Sequence, residues 1–257
     1  MTDTAPSPTR RDRMRAATIQ EITATARRLL VEQGLEAASL RAIAREMGMT
    51  APGLYRYYSS REELLGHLRG EIFHEFAGDI RRTIHEAVAP QEPAADSVTE
   101  AERRTRLTLK MVAASREFRR WALGHKDEFA LLFRVPLPGL DDGRSDVAEQ
   151  CAQEFAATFY ALFLELWNAI HFPVPASSEI HLGLRAQLTR FRGTLRTDAP
   201  DGAIFVFLRC WVLLYGAVSI EVFGHLGFAL EDPAPMFENT LSDLAHLVDL
   251  EYPLPDA

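Results

Sequence analysis

The chain has 257 residues, 47% of them hydrophobic, with two cysteines and a net charge of -8. That length suits one large domain or a small domain joined to a larger one, and the apolar content excludes wholesale disorder and fibrous repeats. Cys151 and Cys210 are too few and too far apart for a disulfide framework, so reduced thiols in a cytoplasmic protein are expected, and nothing implies a cofactor.

The charge is unevenly placed. Residues 10–69 carry 11 Arg against 7 acidic residues, a net +4, whereas residues 70–257 carry 17 basic against 28 acidic, a net -11. Screening confines electrostatic fields to about a Debye length, so a cationic head can attract phosphate beside an acidic body.

Residues 1–14 are expected to form a disordered basic arm, with no apolar run that would make a secretory signal. The apolar positions Ile19, Ile22, Ala26, Leu29 and Leu30 then recur at helical spacing until Gly34. Ser39 caps a second helix carrying Leu40, Ile43, Ala44 and Met47, which ends at Gly48. Thr50 caps a short third helix with Pro52 in its first turn and Leu54, Tyr55 and Tyr58 beyond. Ser60 and Glu63 form an expected capping box that opens a fourth helix over residues 61–89. Residues 90–97 read as a linker. Further helices are expected over 102–115, 118–124, 127–133, 146–170, 178–195, 201–226 and 235–250, with a loop at 136–143. No segment alternates long enough to require a sheet, so the fold class is all-α. Residues 203–222 are long and apolar enough to cross a bilayer, but Arg209 and Glu221 favour a helix buried in protein and no membrane partner.

Residues 40–58, two short helices joined by Gly48, Met49 and Thr50, fit a helix-turn-helix, giving a DNA-binding head over residues 15–60 and a helical body over 90–257. Leu40, Ile43, Ala44 and Leu54 pack inward, leaving Thr50, Ala51, Gly53, Tyr55, Arg56 and Tyr57 facing DNA. Arg56 is the candidate for reading a base edge, since a guanidinium pairs with guanine. Thr50, Tyr57, Ser59 and Arg61 are assigned to phosphate contacts, and Arg41 and Arg45 to either role. Residues 10–15 either follow the minor groove or stay mobile.

At this point the sequence resembles the DNA-binding domain of tetracycline-repressor-type (TetR/AcrR) regulators. The resemblance rests on Gly34, the Ile43-Ala44 pair, Gly48, Thr50, Leu54-Tyr55 and the Glu62-Glu63-Leu64 entry to the fourth helix, with Tyr58 where Phe is usual and Arg61 where Lys is usual. The stretches 118–139 and 208–233 resemble the subgroup named for a Trp, His, Gly signature. Trp211 and Gly216 match it, and Tyr215 stands at the His position.

That resemblance implies a double-stranded DNA operator of palindromic form, a homodimer, and an unidentified small effector, largely apolar or aromatic, whose binding releases DNA. It implies repression by default; the alternative is an activator or helical interaction protein without an effector. The aromatic positions Phe155, Phe159, Phe163 and Trp167 on one helix and Trp211 and Tyr215 on another either fill a helical core or line a pocket. Trp121, His125 and Phe129, in the stretch expected to shift with ligand, and Arg185 complete the ten residues expected to bind ligand, with His171, His181 and Glu221 as further polar groups that could orient it. Val222, Phe223 and Leu226 with Phe237, Leu241, Leu244 and Val248 are expected to form a four-helix dimer interface. No His-Glu-x-x-His cluster, phosphate-cradling glycine loop or nucleophile motif is present, so no catalysis or metal is expected.

Overall fold

Capping side chains, glycines and prolines punctuate the chain into the ten helices of a computed structural model that describes residues 9–89, 99–133 and 147–252. They are α1 (Arg10–Gln33), α2 (Leu40–Glu46), α3 (Ala51–Leu54), α4 (Arg61–Val88), α5 (Glu100–Gly124), α6 (Lys126–Phe133), α7 (Val147–Ile170), α8 (Leu182–Leu195), α9 (Asp201–Val222) and α10 (Ala234–Leu247). No strand occurs among the described residues, and the all-α class holds.

Several boundaries differ from expectation for local reasons. Thr9 and Asp12 make a capping box, so the basic segment from Arg10 is helical rather than a disordered arm. Residues 102–115 and 118–124 are one helix, α5, because nothing between them withdraws a backbone donor or requires a positive φ. Residues 178–195 split: a 3-10 turn at Ser177–Glu179 precedes α8, whose first turn is capped by the His181 ring accepting from the Gly183 N–H at 3.1 Å. α9 stops at Val222, and Gly224 takes a φ of 70° in the turn that follows. The expected loop at 136–143 and linker at 90–97 lie outside the described residues.

One apolar core runs through both parts of the molecule. Ile22, Leu30, Ile43 and Leu54 of the head are continuous with Leu64, Leu68, Phe73 and Phe76 along α4, and these with Phe118, Trp121, Phe129 and Phe155 of the body. α4 is the spine, packed against α1 at one end and between α5 and α7 at the other. A second core, built on Phe163, Phe172, Leu188, Ile204 and Val248, joins α7, α8, α9 and α10. Gly202 permits this join, since a Cβ there would stand 2.5 Å from the Pro175 carbonyl oxygen.

Ion pairs add a second tie between head and body. Arg27 of α1 reaches Glu128 of α6 at 2.5 Å and Glu75 of α4 at 2.7 Å, and Glu128 is only 3% exposed. Burial of a lone carboxylate is strongly unfavourable, so Arg27 is the partner that makes this position tolerable.

Candidate functional site

The head is built around the turn between α2 and α3. Gly48 takes a φ of 64°, a left-handed conformation that terminates α2, and the Met49 N–H then donates back to the Ala44 carbonyl at 2.8 Å. Ala44 is buried where the two helices cross, and Leu54 and Tyr58 anchor the far side. The Thr50 hydroxyl accepts from the Gly53 N–H at 3.2 Å, fixing the start of α3. Tyr58 is tied by its hydroxyl to the His67 ring, and burial, reinforced by the Glu71 and Glu63 charges, raises its pKa. These contacts set the angle at which α3 leaves the head.

What the head presents outward is cationic. Arg41 and Arg45 of α2 and Thr50, Tyr55 and Arg56 are exposed, while Ala51, Gly53 and Tyr57 are half-buried on the same surface. Of the eleven head arginines, Arg27, Arg28, Arg61 and Arg69 are engaged inside the protein. Among the described residues, Arg10, Arg11, Arg13, Arg15, Arg41, Arg45 and Arg56 form no ion pair. Charges left without acidic partners on one small domain suit a polyanion.

Two expected phosphate contacts are already committed elsewhere. Arg61 donates through Nε to the Ala38 carbonyl at 3.1 Å and through Nη2 to the Leu35 carbonyl at 2.6 Å, bracing the turn that ends α1. The Ser59 hydroxyl donates to Glu63 Oε2 at 2.6 Å. The Glu63 carboxylate thus reaches the Ser59 N–H instead of that of the N-cap, Ser60, so only half of the expected capping box forms. The Ser59 hydroxyl and Arg61 Nε and Nη2 are thus engaged within the head.

In the body, α5, α7, α9 and α10 enclose a cavity of about 70 Å³ lined by Met111, Ala114, Ser115, Phe159, Leu162, Phe163, Leu166, Phe207, Cys210, Trp211, Leu214, Leu244 and Val248. Only Ser115 and Cys210 interrupt its apolar wall, and burial pushes the Cys210 thiol up to about 12, so it stays neutral. Of the ten residues expected to bind ligand, Phe159, Phe163 and Trp211 line this cavity. Phe155, Trp121 and Phe129 are packed core: Phe76 lies 4.0 Å from Trp121 and 4.9 Å from Phe155 between ring centroids, and Phe129 touches Phe118 and Phe133. Tyr215 stacks on Trp211 at 5.8 Å but turns its other side to Phe133, away from the cavity, and Trp167 packs on Phe172 in the second core.

The polar candidates have structural duties. Arg185 donates to the Ile180 carbonyl at 2.9 Å, His181 caps α8, and His171 sits at a φ of 44° as the chain leaves α7. His125 bonds the Trp121 carbonyl at 2.9 Å, and Glu221 forms a two-bond pair with Arg119 at 2.7 and 2.5 Å. The alternation of pocket and core within one aromatic stripe depends on the rotation of α7 against α5, which spacing alone does not specify. The signal that was available is size: Ala114 and Ser115 leave room beside three aromatic rings.

The expected dimer interface is corrected in the same way. Phe237, Leu241, Leu244 and Val248 are each 3% exposed or less, because α10 turns its apolar face into the protomer's own core. Val222 is likewise buried, Leu226 is half-buried, and Phe223 is exposed. The open apolar surface belongs to α9, whose most apolar 18-residue window has a mean hydropathy of 2.0 and is only 28% buried. Val212, Ile220 and Phe223 lie along that outer face, 66%, 41% and 50% exposed.

Comparison with known proteins bears on this geometry. The sequence profile of bacterial regulatory proteins of the tetR family matches residues 22–68, and that of the tetracyclin repressor-like C-terminal domain matches residues 111–244. The chain is 29% identical over 226 residues to the HTH-type transcriptional regulators Rv1816 of Mycobacterium tuberculosis and Mb1846 of Mycobacterium bovis, covering 85% of this chain and 86% of each relative. Its fold is similar to the crystal structure of the regulatory protein SCO4313, with a TM-score of 0.64, 27% identity, and coverage of 93% of this chain and 100% of the other. A protein of unknown function from Rhodococcus sp. RHA1 shares the fold at a TM-score of 0.55 and 17% identity, over 90% and 93% of the two chains.

Proposed function

The chain belongs to the TetR family of transcriptional regulators, with a DNA-binding N-terminal domain and a ligand-binding C-terminal domain, and on that premise we propose that it is a homodimeric repressor released from its operator by a small apolar effector. The observation that carries this reading is the pairing of a head whose outward arginines form no ion pair among the described residues with a body that holds an apolar cavity against α5.

One short recognition helix reads few base pairs, whereas two related by symmetry contact successive major grooves about 34 to 36 Å apart. The outer face of α9 supplies the surface for that pairing: Val212, Leu213, Ile220 and Phe223 are exposed along it beside Arg209, and burying them against a second copy removes them from water. At about 70 Å³ the cavity is smaller than the roughly 300–1,000 Å³ typical of ligand sites, so an effector must push its walls apart. α5 supplies part of the wall and leads through His125 directly into α6, whose Glu128 holds Arg27 of α1. Displacement of α5 therefore reaches the head through an ion pair as well as through α4.

Substitution at Arg56 and Arg61 separates reading from bracing. Arg56→Ala should lower affinity for the preferred operator by about 1–3 kcal/mol while leaving affinity for unrelated duplex nearly unchanged. Arg61→Ala should instead lower the melting temperature, and reduce specific binding only as far as α2 loses its position. Equal, uniform losses of binding in both variants, measured by fluorescence anisotropy on operator and scrambled duplexes, would remove Arg56 from the base-reading role.

A further inference from the structure

The first eight residues of α1, Arg10 to Ala17, are all exposed, so about 12 Å of helix stands beyond the packed core of the head. None of these eight side chains is buried in the core. The extension is kept helical by the Thr9–Asp12 capping box, in which Thr9 Oγ1 accepts from the Asp12 N–H at 3.2 Å and Asp12 accepts from the Thr9 N–H at 3.0 Å. It is held against the end of the recognition segment by the Arg15 guanidinium, 5.1 Å from the centroid of the Tyr57 ring.

Between the extension and the turn that follows α3 lies an open groove lined by Arg10, Arg11, Met14, Arg15, Thr18, Arg56 and Tyr57. Four of these seven are arginines without an ion pair among the described residues. Their placement is locally unfavourable. Arg10, Arg11 and Arg13 occupy the first turn of α1, at the positive end of the helix dipole, where acidic side chains are favoured and Asp12 is the one acid. A helix that gathers cations at its positive end, where the one first-turn acid, Asp12, is taken up by Thr9, is arranged for an anion from outside.

We infer that the groove between the N-terminal extension of α1 and Arg56–Tyr57 is a second DNA contact, which clamps the phosphate backbone alongside the bases met by α3. Arg10, Arg11 and Arg15 line it, and Arg13, on the same two turns, faces away. The guanidinium fork suits two phosphate oxygens, and Arg10, Arg11 and Arg15 all line the one groove that Arg56 and Tyr57 close on its other side. The contact rests on the DNA-binding reading of the head and extends its footprint outward from the recognition helix without adding base specificity.

The test uses full-length dimer on a duplex enriched from a random library by the wild-type protein. Arg10→Ala/Arg11→Ala/Arg15→Ala should flatten the dependence of log affinity on log salt by about 0.9 for each phosphate the variant leaves unneutralised, and erase hydroxyl-radical protection at the outer flanks of each half-site. Arg13→Ala, which removes a charge from the same helix outside the groove, should leave the flanking protection intact. Circular dichroism confirms that each variant keeps its helices. If the triple variant keeps the flanking protection, or if Arg13→Ala erases it equally, the groove is not a built contact. A wild-type chain that enriches no duplex at all overturns the DNA-binding reading, and the clamp with it.

Discussion

Asp at both Val212 and Ile220 is expected to turn the protein into a folded monomer and to weaken operator binding by roughly 100-fold or more, since two linked recognition helices gain that much from avidity. Both side chains lie on the outer face of α9, 66% and 41% exposed in the protomer, so each accepts a carboxylate without disturbing the core. Across a symmetric interface the same charges meet their own copies, and desolvation and repulsion act together. Leu241 and Leu244 give the contrasting result. They are 0% and 3% exposed, so Asp there should unfold the body and leave no native monomer to measure. Sedimentation velocity with circular dichroism separates these outcomes, and a Val212/Ile220 variant that stays dimeric at micromolar concentration contradicts the placement of the interface.

The second large effect concerns the tie between head and body. Glu128→Ala should cost about 2 kcal/mol, less than the 3–5 kcal/mol of a fully stranded buried charge, because Arg27 keeps Glu75. The paired change Arg27→Met/Glu128→Met should recover most of that stability, because no charge is then buried without its partner. It should nevertheless bind effector and respond to it less, since α1 and α6 are no longer joined by a directional contact. Urea unfolding gives the first comparison, and operator affinity with and without effector gives the second. Full response in the paired variant assigns the coupling to α4 alone.

The sequence made most of the helices legible because their ends carry explicit chemistry. Ser39, Gly48, Thr50 and Ser60 stand where the turns of the head require a cap or a left-handed residue; the first three act as expected, and Ser60 caps α4 without completing its box. The basic arm reads as disordered because composition near a chain end suggests it, while the deciding interaction is local, one threonine three residues before one aspartate. Arg61 and Ser59 read as free donors because their acceptors, the Leu35 and Ala38 carbonyls and the Glu63 carboxylate, are set by the turn of the fold rather than by residue type.

The body was harder for a different reason. An apolar stripe at helical spacing states that a helix is buried on one side, but not which neighbour covers it. α10 has a clear stripe and places it in its own protomer, whereas α9 is apolar nearly all round and places part of it outside. Likewise Phe155 and Phe159, four residues apart on one helix, are divided between packed core and cavity wall by what α5 offers opposite them: Phe118 touches both rings, but the small Ala114 and Ser115 open space beside Phe159 alone.

The most direct measurement is a two-way titration with a neutral apolar dye such as N-phenyl-1-naphthylamine as the cavity probe. Operator affinity is determined with and without the dye, and dye affinity with and without the operator, in the wild-type chain and in Ala114→Phe, which fills the cavity. Dye and operator should weaken each other by the same factor in the wild-type protein, as linkage demands, and the filled variant should bind operator while ignoring the dye. Tight dye binding that leaves operator affinity unchanged, with the dye displaced by Ala114→Phe, would show a cavity unconnected to DNA and contradict the proposed effector response.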